Sequence, residues 1–360
     1  MSGARSVFAA VTTDGRQNMT PETARVVAWE ETVRNDAGFS LAGSSNIVLE
    51  APGVYQVFVN LPYFSNLARD SAKLELRLDD LIVSGGAAMQ GYIRAASGHN
   101  DASVHWSGLV VANQSNQALS ISTEKASNPS GFDAVVANGR MSVLIERIDT
   151  EGLFFSAATQ VTTNSTDWNP APPGAEIEWP TATVQDSGVY THDSVGRPER
   201  LGIGEDGDYL LTYNDGLEAG ADRVNPLMTV RVNGIPLPGA STRTHMIRNT
   251  QGHHESSGSL VFFLNALSAG DEVSIHLEQD AAGGTVEAAQ RALIGLRKKS
   301  FDAVEVLTPS VTNILDTTAD VLVHADFSSA VYDLTVFWGT NDGGANAGAW
   351  MNSADVGWFT

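Results

Sequence analysis

The segment Arg77-Leu78-Asp79-Asp80-Leu81-Ile82-Val83-Ser84-Gly85 returns later in the chain as Arg231-Val232-Asn233-Gly234-Ile235-Pro236-Leu237-Pro238-Gly239. The offset is 231 − 77 = 154 residues, and the same offset carries Ile93-Arg94 to Ile247-Arg248 and Gly98-His99 to Gly252-His253. Self-similarity over this length means two copies of one structural unit. Other landmarks pair at nearby offsets: Phe8 with Phe155, Trp29 with Trp179, Pro52-Gly53-Val54-Tyr55 with Asp206-Gly207-Asp208-Tyr209, and Arg147 with Arg297. Drifting offsets are what loop insertions between fixed strands produce. The expected organisation is residues 1–149, 150–299 and a different remainder, 300–360.

Within each copy the apolar pattern has period two, the signature of strands with one face in a core. Tyr55–Val59, Leu74–Leu78, Met228–Val232, Val104–Val110, Leu260–Leu264, Ser142–Glu146 and Ala292–Leu296 all read as strands. Asn233-Gly234 between apolar runs is a strong hairpin signal, because both turn residues must accept positive φ. Asp79-Asp80 holds the same place in the first copy. The one helical candidate is a short turn near Thr20–Ala24. The Pro-rich stretch Asn169–Gly174 falls inside the second copy as a loop, while the junction Asp149-Thr150-Glu151-Gly152 is short and should hold the copies close together. The 34 Gly and 13 Pro suit many turns. The expected class is all-β, with two tandem jelly-roll β-sandwiches and a partial immunoglobulin-like β-sandwich.

Charge narrows the partners. Lys and Arg number 21 against 42 Asp and Glu, a net −21 that repels phosphate backbones, so nucleic acid is not an expected partner. With no Cys, disulfides and thiol chemistry are excluded. No apolar run approaches the roughly 18 residues of a membrane-spanning helix.

The opening Phe-Ala-Ala or Phe-Ser-Ala strand, the Pro-Gly-Val-Tyr or Asp-Gly-Asp-Tyr turn and the Leu-x-Leu-x-Leu hairpin together carry a resemblance. Residues 5–299 resemble, twice over, the jelly roll of tumour necrosis factor and complement globular-head domains. That resemblance implies a ten-stranded sandwich, frequent trimer formation and binding rather than catalysis. From Val331 the string Phe337-Trp338-Gly339-Thr340-Asn341-Asp342-Gly343-Gly344, running on to Ala349-Trp350, resembles a fibronectin- or immunoglobulin-like repeat of large secreted bacterial surface proteins. Four strand runs are expected there, at Ala303–Leu307, Asp320–His324, Leu334–Trp338 and Val356–Phe359. Four strands make an incomplete sandwich, to be completed either by later residues of a longer chain or by a strand from a neighbouring subunit.

Candidates for chemistry each have a plainer reading beside them. Gly252-His253-His254-Glu255 offers His253 and Glu255, two apart on one strand face, to a divalent ion, or is a polar loop like Gly98-His99-Asn100-Asp101. Glu205-Asp206-Gly207-Asp208 and Asn341-Asp342-Gly343-Gly344 have fragments of a calcium-loop pattern, yet the first aligns with an ordinary turn in the sister copy. Glu30-Glu31 are adjacent and point apart on a strand. No Gly-x-Ser-x-Gly elbow supports a Ser-His-Asp set. Asn113-Gln114-Ser115 and Asn164-Ser165-Thr166 fit a glycosylation pattern. Trp29 and Trp179 are core residues or a sugar platform. The expectation is no catalytic residue, no cofactor and no metal. What remains is a secreted or cell-surface, non-enzymatic structural or adhesive protein that self-associates as a trimer or fibre, with a glycan or protein ligand. The alternatives are a carbohydrate-binding module and a glycan-active hydrolase.

Overall fold

A computed structural model describes residues 5–10, 17–19, 25–29, 31–64, 71–89, 101–125, 134–136, 141–157, 175–219, 224–244, 246–247, 255–279, 286–288, 293–299, 306–312, 320–325, 332–338 and 352–359. Among these residues there is no helix, and so none long and apolar enough to cross a membrane. The chain divides into two compact units, Gly3–Lys299 and Ser300–Thr360.

The first copy supplies thirteen strands to the larger unit: β1 (Arg5–Ala10), β2 (Gln17–Met19), β3 (Arg25–Val26), β4 (Glu31–Asn35), β5 (Phe39–Ala42), β6 (Asn46–Leu49), β7 (Gly53–Phe64), β8 (Ala72–Leu78), β9 (Leu81–Met89), β10 (Asp101–Ala112), β11 (Gln117–Lys125), β12 (Ala134–Val136) and β13 (Met141–Ile148). The second supplies β14 (Leu153–Ala157), β15 (Ala175–Glu176), β16 (Ala182–Gln185), β17 (Tyr190–His192), β18 (Leu201–Ile203), β19 (Gly207–Ala219), β20 (Pro226–Val232), β21 (Ile235–Arg243), β22 (Glu255–Leu267), β23 (Glu272–Gln279), β24 (Val286–Ala288) and β25 (Leu293–Lys299). Each copy makes two antiparallel sheets. In the first, β2-β12-β7-β13-β1-β4 with β10 on β7 faces β5-β6-β11-β8-β9 with β3 on β11. In the second, β16-β14-β25-β19-β22 with β24 on β19 faces β17-β18-β23-β20-β21 with β15 on β23. Two such paired sheets in each copy are the sandwich layers of a jelly roll.

Alternation builds the cores. Tyr55, Val57, Val59, Leu61 and Tyr63 are all buried on one face of β7, against Leu74, Leu76, Leu119 and Ile121 of the opposing sheet. In the second copy Tyr209, Leu211, Tyr213 and Leu217 take that face of β19, against Val230, Ile275 and Leu277. Trp29 and Trp179 lie in these two cores, 2% and 0% exposed.

The repeated turn before β7 and β19 has a packing reason. A Cβ on Gly53 would come within 2.9 Å of Arg147 Nε, and one on Gly207 within 3.0 Å of Lys298 Cε. The missing side chain lets the basic residue cross the turn, where Arg147 Nη2 donates to Pro52 O at 2.9 Å and Lys298 Nζ pairs with Glu205. The Tyr55 and Tyr209 hydroxyls then donate to the carbonyls of Ala51 and Glu205, each at 2.5 Å.

Strand register corrects two of the sequence pairings. Tyr55 stands opposite Arg147 and Tyr209 opposite Lys298, so Arg147 corresponds to Lys298 and not to Arg297. Val7 stands opposite Leu144 and Phe155 opposite Gly295, so Phe155 corresponds to Val7, and Phe8 to Ser156. A one-residue slip reverses which face a side chain takes. Phe8 fills its own core, whereas Phe155 points out of its sandwich and packs with the first copy's core residues.

In the smaller unit β26 (Val306–Thr312) pairs with β27 (Asp320–Ala325), and β28 (Tyr332–Trp338) with β29 (Asn352–Phe359). Strands lie at all four expected runs, residues 303–305 of the first being outside the described residues. The Thr20–Ala24 turn and the Asn169–Gly174 loop lie outside the described residues.

Both hairpins turn on two left-handed residues: φ is 50° and 66° at Asp79 and Asp80, 52° and 77° at Asn233 and Gly234. Asp79 also accepts from the Ala118 N–H, as Asn233 does from the Glu272 N–H, pinning both tips to the next strand. A residue with a Cβ is strained by about 1–2 kcal/mol in this region, and nothing lies within 4 Å of a Cβ on Gly234. Asp80→Gly is therefore expected to raise the melting temperature and Gly234→Asp to lower it, each by about 1 kcal/mol of stability, read by thermal denaturation.

Candidate functional site

The surface with the most unusual chemistry is the seam between the copies. On β7 the residues between the core positions are Gln56, Phe58 and Asn60; on β19 they are Leu210, Thr212 and Asn214. These outward faces are not left to water alone. From the first copy, β9 and β10 lie across the outward face of the second copy's β19, β22 and β25 sheet. Met89 N–H donates to Ser257 Oγ at 2.8 Å, Ser107 and Ser259 hydroxyls share a hydrogen bond at 2.9 Å, and Asn214 Nδ2 donates to Ala87 O at 3.3 Å. Gln56 Nε2 donates to Thr212 Oγ1 at 3.4 Å.

Two glycines let the backbones approach. A Cβ on Gly295 would meet Leu109 Cδ1 at 3.1 Å, and one on Gly108 would meet Leu293 Cδ2 at 2.6 Å. Leu153, Phe155, Ala157 and Leu293 of the second copy consequently join the first copy's core cluster. The seam is neutral throughout these contacts, so its strength comes from burial and hydrogen bonding rather than from ion pairs.

Beside the seam, the first copy's own outward face is open. A recess of about 300 Å³ is lined by Val7, Phe58, Asn60, His105, Ser142 and Leu144, with Ser107 and Ser259 at the seam edge. Among the described residues the lining has aromatic and aliphatic walls, hydroxyls, an amide and the His105 imidazole, with no carboxylate or amine.

One buried carboxylate stands apart. Asp215 lies on the core face of β19, where the first copy has Leu61, and is 0% exposed. Tyr213 donates its hydroxyl to Asp215 Oδ2 at 2.5 Å, while Oδ1 has no protein partner. Burial pushes this carboxyl up to about 7, against the downward pull of the Tyr213 hydroxyl and the Gly216 N–H. Glu75 differs: burial raises it, but Lys73 and Arg77 outweigh burial and hold it below the usual range. Their distances to it are 2.6 and 2.7 Å.

The remaining sequence candidates are scattered. The carboxylates of Glu205-Asp206-Gly207-Asp208 bind the protein itself: Asp206 accepts from the Ala269 N–H, Asp208 from the Ala266 N–H, and Glu205 pairs with Lys298. Glu31 is exposed on β4. Asn113 and Gln114 sit in a turn whose N–H groups donate to Gln117 Oε1. Glu255 opens β22; His99, Asn100, His253, His254, Glu30, Asn164 and 341–344 lie outside the described residues. Among the described residues no three His, Asp or Glu groups gather as a metal site. The seam residues were not singled out from sequence. One apolar run lies beside the seam: Leu260-Val261-Phe262-Phe263-Leu264 is apolar on both faces of its strand, although Val261 and Phe263 are 45% and 36% exposed.

No family model matches the chain, and no curated protein matches it in sequence. Among solved structures, the chain is similar to Eiger TNF from S. frugiperda, at 12% identity and a TM-score of 0.31 over 41% of this chain and 94% of that one. It is also similar to murine APRIL, at 11% identity and a TM-score of 0.28 over 39% of this chain and 98% of that one. The all-β sandwich class rests on the sheets themselves.

Asp215 gives a pH dependence with a definite sign. Its ordinary value is 3.8. Between about pH 4 and pH 7 the unfolded chain releases this proton while the folded chain keeps it. Its share of stability therefore falls as pH rises through that window, by on the order of 4 kcal/mol. Asp215→Asn keeps an acceptor for Tyr213 and removes the titration. In urea unfolding at pH 5 and pH 8, the variant is expected to lose most of the wild-type difference and to be the more stable protein at pH 8.

Proposed function

We propose that this chain is a non-enzymatic structural or adhesive protein, secreted or at a cell surface, whose tandem sandwiches self-associate and present loops for binding. The observation that carries the reading is the seam: a sandwich face here serves as a packing surface for another sandwich. A jelly roll that covers its outward sheet with a sister copy is an assembly module, and the first copy's outward face remains open to further packing. The segment Ser300–Thr360 extends the same β-rich design, and its resemblance to surface-protein repeats supports a place in a larger assembly.

The recess favours binding over hydrolysis. Among the described residues its lining has no carboxylate to act as acid or nucleophile, and its one titratable side chain is the His105 imidazole; Asp215 is sealed from solvent. The sugar-platform reading of Trp29 and Trp179 loses its support, because both indoles are buried. Analytical ultracentrifugation of the full chain tests the reading. Species heavier than the 38.1 kDa chain, increasing with concentration, are the expected result. A strictly monomeric protein from micromolar to near-millimolar concentration would overturn it.

A further inference from the structure

The recess beside the seam is built from two rows of side chains on the first copy's outward face. Residues opposite one another in an antiparallel ladder share a face, so register gives the rows directly. Val7 stands opposite Leu144, Leu144 opposite Phe58, and Phe58 opposite Ser107. Two residues along, Ser142 stands opposite Asn60 and Asn60 opposite His105. An apolar row with an aromatic ring therefore runs beside a row of hydroxyl, amide and imidazole. The Ser107 and Ser259 hydroxyls, bonded to each other at 2.9 Å, close the recess at the seam, so both copies contribute to it.

The sister copy differs at each of these places. By the same register it has Thr212 for Phe58, Gly295 for Leu144, Leu293 for Ser142 and Ser259 for His105. There the lack of a side chain at Gly295 admits Leu109 of the covering sheet, which a Cβ would meet at 3.1 Å. Leu144 fills that place in the first copy, so a sheet lying over it stands farther off and leaves a hollow beneath. The hollow has about 300 Å³, at the low end of ligand-sized sites, which suits one small ring.

Chemistry narrows the ligand. Among the described residues the lining has neither Lys nor Arg for a phosphate, nor a carboxylate for a cation, and the net charge of −21 repels anions. β7 is paired along both edges, by β10 and β13, so its backbone is closed to an added peptide strand. A hydroxyl-rich ring matches what is present. Sugar hydroxyls both donate and accept, as the Ser142 hydroxyl and a neutral imidazole at His105 do. The C–H face of the ring is apolar enough to lie on Phe58 and Leu144. We propose that the recess binds a terminal neutral hexose of a glycan, its C–H face on Phe58 and its hydroxyls toward Ser142 and His105. This rests on the binding part of the proposed function and adds the class of ligand and its place; it does not require self-association.

The test titrates the full chain, below the concentration at which it associates, with the methyl glycosides of glucose, galactose and mannose, followed by NMR of the His105 imidazole. At least one is expected to bind saturably and to shift the His105 ring signals. His105→Ala and Phe58→Thr are each expected to weaken that binding by roughly tenfold, the loss of one contact to the ring. His105 is exposed, and Phe58→Thr puts in the residue that the sister copy has at this place; melting curves check the folding of both. Should Phe58→Thr melt abnormally, His105→Ala decides. N-acetylneuraminic acid, an anionic sugar, and cyclohexanol, a ring with one hydroxyl, are expected to bind far more weakly than the hexoside. No saturable binding by any of the three glycosides would overturn the site, as would binding untouched by the variants. Equal binding of the acid or of cyclohexanol would overturn the ligand class. A chain that associates but binds no hexoside overturns this proposal alone. One that binds a hexoside yet stays monomeric at every concentration overturns self-association and leaves the site standing.

Discussion

A β-strand has two faces, and a sandwich covers one of them. β7 and β19 have large apolar residues on the face toward the core, and on the outward face each sets one large apolar residue, Phe58 or Leu210, among polar ones. The molecule answers this for the second copy by laying the first across it. That choice fixes much else: Gly108 and Gly295 must be glycine so that Leu293 and Leu109 can reach across, and Phe155 must face outward. The short junction between β13 and β14 is compatible with the same arrangement. The seam is a part of the core that happens to lie between two repeats.

The repeat made the architecture legible. Alternation at Tyr55–Val59 and Met228–Val232 marked strands because the inward positions are uniformly apolar, and Asn233-Gly234 marked a hairpin because few residues tolerate its backbone. Asp79-Asp80 adopts the same turn at a strain cost, partly offset by the Asp79 bond to the Ala118 N–H. The pairing of Phe8 with Phe155 failed for a physical reason. Matching like residues ignores the pleat, and the second copy has its aromatic residue one place over, turned toward the seam.

The seam itself was far less visible. Ser107, Ser257, Ser259, Thr212 and Gln56 are small or polar residues of a kind that usually marks a solvated strand face, and nothing in their spacing reveals that another sheet lies over them. The doubly apolar run Leu260–Leu264 was the exception, and it belongs to the face that remains open. Asp215 was equally hidden. Only its register with Leu61 shows that an acid has entered a core stripe, where desolvation shifts its titration toward neutral pH.

Placing both copies on one polypeptide has a further effect on the composition of the seam. Two modules joined by a short tether meet at an effective concentration in the millimolar range, whatever the concentration of the protein. A contact formed under that condition needs little intrinsic affinity. It can include serine hydroxyls and amide groups, each worth little net free energy, as the internal seam does beside the apolar contacts of Leu109, Phe155 and Leu293. A contact between separate molecules has no such help and must supply the lost translational freedom from its own burial.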